Sequence, residues 1–170
     1  AGGTGELNHF DFANWDVSAG SVDLIGNGYF DAFPGNGLYV DMAGTTSQYG
    51  GLTTNVTFAP GTYVIHLDLA GSIYAGIPGG VTISFGGYSE NIVLNGLETA
   101  SIDRTITLTE PAQLMIVDLG LSGNGNIGAT LLGVSIAGGG AVGDEDTANP
   151  LDIAASLTDT DGSETLSITH

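Results

Sequence analysis

Apolar and polar residues alternate in short runs along this chain. Between Thr62 and Leu69, the residues Tyr63, Ile65, Leu67 and Leu69 fall on one side of an extended backbone, with Val64, His66 and Asp68 on the other. That is the period of a half-buried strand. Ile106 and Leu108 alternate in the same way with Thr105, Thr107 and Thr109. Runs of this kind, rich in β-branched and aromatic residues, are broken by Gly, Asn and Pro about every ten residues. The pattern predicts strands over Val17–Leu24, Leu38–Met42, Leu52–Phe58, Thr62–Leu69, Val81–Phe85, Asn91–Leu94, Ser101–Thr109, Gln113–Leu119 and Ala129–Ile136. No segment holds a helical period, so the expectation is all-β, with two packed antiparallel sheets.

The pattern changes after the glycine run at Gly138 to Gly140. The 142 residues up to Val142 hold twelve acids, and the 28 that follow hold seven with no aromatic residue. Twenty-eight residues are too few to close a core of their own. The expected organisation is a β-sandwich module over residues 1–140. Residues 141–170 then form a linker and the start of an extender repeat, or a strand-bearing extension of the module. His170 is given no role.

Charge narrows the chemistry. Nineteen acids face one basic side chain, Arg104, for a formal charge of -18. Phosphate recognition needs cationic side chains, which argues against nucleic acid and anionic membrane surfaces as partners. No apolar stretch reaches the length of about 20 residues that a spanning helix needs, so membrane insertion is not expected. There is no cysteine, hence no disulfide or thiolate site, and the three histidines lack the pairing of a zinc site. An acidic chain of this kind suits an extracellular medium where calcium is plentiful and salt screens repulsion.

Four segments repeat an aliphatic residue followed by Asp and then Leu or Met: VDLIG, VDMAG, LDLAG and VDLGL, carrying Asp23, Asp41, Asp68 and Asp118. Such an Asp opposes its apolar neighbours, on a solvent face or in a loop mouth where carboxylates could meet. The plainer reading, that Asp and Gly end a strand and turn the chain, is the one expected here. Two loops are rich in Asn and Gly, residues 26–37 and 122–128. Asn27, Asp31, Asn36, Asn124 and Asn126 supply hard oxygen donors of the kind calcium takes. The first loop also carries Tyr29, Phe30 and Phe33, and aromatic rings beside amides suit a sugar or a peptide. Tyr29, Phe33, Tyr49, Tyr74 and Tyr88 are the aromatic candidates for a binding surface, although turn chemistry with rings folded into the core fits the first loop equally. Many acids would permit a glycosidase pair about 5 to 10 Å apart, but none is singled out.

In the tail, EDTANPLDIAASLTDTDGSETLSIT resembles the opening of the bacterial immunoglobulin-like or cadherin-like repeats of giant RTX adhesins. The resemblance implies junctional calcium, with Asp144, Glu145, Asp146, Asp159, Asp161 and Glu164 at the matching acidic positions. More loosely, LNHFDFANWDV, SVDLIGNGYFDAFPGNGLYVDMAGT, FAPGTYVIHLDLAGS and GATLLGVSI resemble the galactose-binding-like jelly rolls of carbohydrate-binding modules. That implies an antiparallel β-sandwich of jelly-roll type. It also implies a structural calcium on Asp11, although Leu132 and Gly133 stand where the superfamily's partner Asp falls. The function expected is calcium-dependent adhesion without catalysis, at a bacterial cell surface, through a glycan or peptide of a host or neighbouring cell. Asp31 and Asn36 would share the ion with the ligand, and the module would act as a monomer within a longer chain. A calcium-stiffened extender without its own ligand is the alternative, and a glycoside hydrolase the weaker one.

Overall fold

A computed structural model describes residues 5–138. These form twelve strands: β1 (Trp15–Ala19), β2 (Asp23–Gly26), β3 (Leu38–Asp41), β4 (Ala43–Gly44), β5 (Gln48–Tyr49), β6 (Gly51–Thr54), β7 (Gly61–Ala70), β8 (Pro78–Phe85), β9 (Tyr88–Asn95), β10 (Thr99–Leu108), β11 (Leu114–Asp118) and β12 (Thr130–Gly138). One five-stranded sheet runs β1-β6-β11-β8-β9, a second runs β10-β7-β12-β3-β2, and β4 and β5 make a small hairpin. Every pairing is antiparallel. The protein is an all-β sandwich, as its alternation predicts. The segment 141–170 lies outside the described residues.

The alternating residues of β7 show why the sheets face one another. Tyr63, Ile65, Leu67 and Leu69 are buried, and they meet Val81, Ile83 and Phe85 of β8 and Leu114 and Ile116 of β11 in one core. Phe58, Tyr63 and Phe85 pack edge to face with ring centroids 5.4 to 5.5 Å apart. The opposite face of β7 carries His66 and Asp68, both half-exposed.

Three departures from the sequence reading matter for function. The predicted strand Val17–Leu24 breaks at Gly20, so β1 and β2 enter different sheets. In β12 the register slips between Leu131 and Gly133. That slip turns Leu132 outward into a second apolar cluster with Ile25, Tyr39 and Ala70, against which Phe33 and Ile73 pack. The stretch that includes Tyr88 is paired strand, not loop.

Arg104 ties the sheets together along one side. It lies on β10 and its Nε and Nη2 donate to the two oxygens of Glu90 on β9 at 2.7 and 2.8 Å, while the Tyr88 hydroxyl donates to the same carboxylate. β9 and β10 are edge strands of different sheets. The guanidinium, helped by the Tyr88 hydroxyl, holds the Glu90 carboxyl down at about 2. A bidentate pair of this kind fixes geometry as well as charge.

Because the strands alternate in direction, the connections gather at two ends. Residues 20–22, 42–50, 71–77, 96–98 and 119–129 lie at one end, and residues 27–37, 55–60, 86–87 and 109–113 at the other. Gly79 shows how tightly the first end is packed. A Cβ there would sit 1.6 Å from the Gly71 carbonyl oxygen and 2.9 Å from the Ala129 Cα, both backbone atoms that cannot swing aside. Gly79→Ala is therefore expected to cost about 3 kcal/mol or more; a denaturation midpoint equal to that of the unmodified protein would refute this packing.

Candidate functional site

The β2–β3 connection presents the most distinctive surface. Tyr29 and Phe30 form an edge-to-face pair with centroids 4.9 Å apart. Phe30 is 59% exposed and Tyr29 37% exposed. Phe30 has φ of +47°, a left-handed conformation that a bulky side chain rarely takes. Asn27, exposed on the same turn, also lies at positive φ.

Beneath the rings the loop is braced from inside. Asp31 accepts the Gly28 N–H at 3.0 Å through Oδ2, and the Phe33 N–H at 3.2 Å and Tyr39 hydroxyl at 3.1 Å through Oδ1. Tyr39, buried on β3, accepts the Ala32 N–H at 2.7 Å in return, and burial raises its phenol above the usual range. Phe33 folds onto Tyr39 with centroids 5.6 Å apart. The Asn36 amide donates to the Leu132 carbonyl at 3.0 Å. Asp31, Phe33 and Asn36 thus hold the loop, while Asn27, Tyr29 and Phe30 face outward. The sequence reading placed Phe30 within the loop but took Phe33 as the candidate; Phe30 is the more exposed ring, and Phe33 packs partly buried against the outer apolar cluster.

The remaining candidates lie elsewhere. Tyr49, Tyr74, Asn124 and Asn126 belong to the opposite end of the sandwich, so the expected site is divided in two. Tyr74 is 48% exposed. Two loops there share one construction. Ser72 donates to the carbonyls of Tyr74 and Ile77 and accepts the Tyr74 N–H; Ser122 donates to Asn124 and Ile127 and accepts the Asn124 N–H. The spacing of Ser and Ile five residues apart is the signal that marks them. Asn124 accepts the Asn126 N–H, and Asn126 accepts the Ser47 hydroxyl. Tyr88 packs partly against the core beside Glu90.

Three of the four repeated Asp residues are buried, against the expectation of exposed strand ends. Asp23 and Asp41 are register partners on β2 and β3, and Asp41 is in turn opposite Thr130 on β12. Asp23 Oδ1 accepts the N–H groups of Asn8 and Thr45. Asp41 Oδ1 accepts those of Ala43 and Gly128 at 3.0 and 3.1 Å. Asp118, at the end of β11, accepts those of Gly120 and Ala129, both at 2.6 Å. Gly128 is threaded between them: a Cβ would come within 2.6 Å of the Ala43 nitrogen and 2.8 Å of Asp118 Oδ2. Burial pushes Asp41 up to about 8, with Asp23 and Asp118 adding to the rise, and burial pushes Asp118 up to about 6. Only Asp68 is half-exposed, beside His66, whose ring bonds Asp103 at 2.6 Å and whose pKa that contact raises.

Of the acids expected to hold calcium, Asp11 and Asp31 lie among the described residues. Asp11 is exposed, and the position opposite it in the superfamily pattern is the apolar Leu132. Among the described residues no three His, Asp or Glu side chains are placed to hold a metal ion. Asp144, Glu145, Asp146, Asp159, Asp161 and Glu164 lie outside the described residues.

No protein-family model matches the chain, and no curated protein matches it significantly. Solved structures with a similar course of chain include an exo-β-1,3-galactanase from Phanerochaete chrysosporium, shown with β-1,3-galactotriose, at 21% identity and a TM-score of 0.43. The match covers 80% of this chain but only 29% of the galactanase. They also include two carbohydrate-binding modules. TmCBM61, in complex with β-1,4-galactotriose, is 19% identical with a TM-score of 0.45, over 71% of this chain and 85% of its own. The family 29 module CBM29-2 is 11% identical with a TM-score of 0.38, over 76% and 86%.

A left-handed Phe stores backbone strain of about 1 to 3 kcal/mol. Phe30→Gly is therefore expected to leave thermal stability unchanged or raise it, because glycine relieves the strain and the exposed ring contributes little to the core. Asp31→Ala removes the shared acceptor and is expected to cost about 1 to 3 kcal/mol. Thermal melts of both variants check this, and a Phe30→Gly protein melting well below the parent would contradict it.

Proposed function

We propose that this module binds glycans through the Tyr29–Phe30 edge, without catalysis. The observation that carries the reading is an exposed aromatic pair, with Phe30 in a left-handed conformation, on a loop that Asp31 and Asn36 brace from within. Strain of this kind persists where the surrounding structure over-determines it, and it gathers at ligand contacts. A rigid ring offers a flat apolar face to the C–H side of a sugar, and little side-chain entropy is lost on contact. Asn27 stands on the same turn with an amide for hydroxyl groups.

In this proposal the module is displayed outside a bacterial cell, within an adhesin, and meets a glycan of a host or neighbouring cell. The resemblance of the tail to extender repeats supports that setting. Calcium then acts at the acidic tail, where it stiffens the junction, and the aromatic edge binds its ligand without a shared ion. The aromatic edge separates this reading from that of a pure extender, which has no use for exposed rings at a strained turn.

A glycan array that includes both galactotrioses, probed with and without chelator, tests the proposal. A neutral glycan is expected to bind, to survive chelation, and to lose about tenfold or more in affinity in Phe30→Gly. A blank array from folded protein, or a hit unchanged by that substitution, would overturn it.

A further inference from the structure

We propose that the outer face of the first sheet is a self-association surface, through which two copies of this protein pair face to face. β11 runs through the middle of that sheet, and its residues alternate between the two sides. Leu114 and Ile116 enter the core. Met115 and Val117 point the other way and are apolar too, with Met115 41% exposed. A strand with one face in water carries polar residues on that face, whereas a strand covered on both faces reads as an unbroken apolar run. Residues 114–117, LMIV, form such a run, and Leu119 and Leu121 extend it along the outer side.

The patch is continuous across three strands. Gly80 on β8 is the register partner of Val93 on β9, which is 55% exposed. A Cβ at Gly80 would meet Leu119 and Leu121 at 3.1 and 3.2 Å, so both leucines lie over that glycine, whose cross-strand neighbour is Val93. On the other flank of β11, a Cβ at Gly51 would meet the Val117 side chain at 3.3 Å. Glycine on each side thus gives the large β11 side chains room to spread over the sheet. Around them the polar side chains satisfy one another. Thr82 donates to Asn91 at 2.7 Å, Thr53 donates to Ser18 at 2.8 Å, and the Ser84 and Ser89 hydroxyls bond at 3.3 Å. What remains for a partner to cover is the apolar stripe.

Charge and side-chain type select the occupant. Among the described residues, the outward positions of this sheet's strands carry one charged side chain, Asp16 on the β1 edge. The exposed face of the other sheet carries Asp68, Asp103 and His66. In a chain with nineteen acids and one basic residue, itself engaged with Glu90, acidic surface repels a second copy. The outer face of the first sheet is where two copies approach without like charges meeting. Its stripe is aliphatic and lacks the flat ring on which a sugar stacks. It offers no cation to the residues after Val142, which hold seven acids, and β12 ends at Gly138 opposite Tyr63 in the other sheet. A second copy brings the same uncharged apolar face, and a two-fold axis matches that face to itself. Sheets stacked in this way lie about 10 Å apart. β2 and β3 belong to the other sheet, so pairing leaves the Tyr29–Phe30 edge of each copy uncovered.

Sedimentation of the full chain over a concentration series tests this. A monomer–dimer equilibrium is expected, and it should tighten as added salt screens the net charge of the two copies. Met115→Glu and Val93→Glu each place a charge on the stripe at an exposed position. Each should weaken the dimer about tenfold or more, with the fold retained by circular dichroism. Thr105→Glu adds the same charge to the exposed face of the other sheet and should leave the equilibrium unchanged. A protein that stays monomeric throughout the series would overturn the proposal. So would a dimer that neither stripe variant weakens, that Thr105→Glu weakens as much as Met115→Glu does, or that added salt dissociates. A monomer whose melting temperature falls sharply in Met115→Glu would overturn it too, because the chain itself would then cover the stripe. No glycan is present, so the result is independent of the reading of the Tyr29–Phe30 edge.

Discussion

Among the described residues, backbone N–H groups stand in for cations at the aspartates that hold the loops. With one basic side chain for nineteen acids, ion pairing cannot organise the carboxylates. Asp23, Asp31, Asp41 and Asp118 instead collect N–H donors from the loops around them. A carboxylate that gathers two N–H groups fixes the turn that supplies them, so the acids become the staples of the loops. Arg104 is the exception, and it sits where no backbone donor could do the same work, between the edges of two sheets.

That constraint shapes the proposed binding surface. Asp31 and Tyr39 hold the β2–β3 loop from within, and Phe33 anchors it to the outer apolar cluster. Only after those groups are committed can Phe30 be held in a left-handed conformation with its ring in solvent. The rigidity of the loop and the exposure of the ring are two results of one arrangement. At the other end of the sandwich the same device recurs in Asp41 and Asp118, which are buried and each accept two backbone N–H groups.

The fold was legible in the chain because alternation over β7, β8 and β10 leaves only one face apolar. The all-β class, and strands within a few residues of those observed, follow from that. The slip in β12 was not legible: Leu131 and Leu132 are equally apolar, and only the paired register shows that they face opposite ways. The site was partly legible. The Asn/Gly loop of residues 26–37 stands out by composition, yet its residues divide by burial, which composition does not encode. Asp31, Phe33 and Asn36 read as ligand groups because their chemistry is the same whether they face solvent or their own loop. The aspartates misled in the opposite sense. VDLIG, VDMAG and VDLGL look like strand ends, and they are, but N–H groups arriving from distant segments bury them.

Ligand contact is proposed to lie on the Tyr29–Phe30 edge. A nitrogen-15 NMR titration of the module with the strongest neutral glycan from the array tests it residue by residue. Shifts are expected to concentrate in residues 27–33, with the Phe30 ring protons moving in step. Shifts confined to Tyr74, Asn124 and their neighbours, with residues 27–33 unmoved, would contradict it.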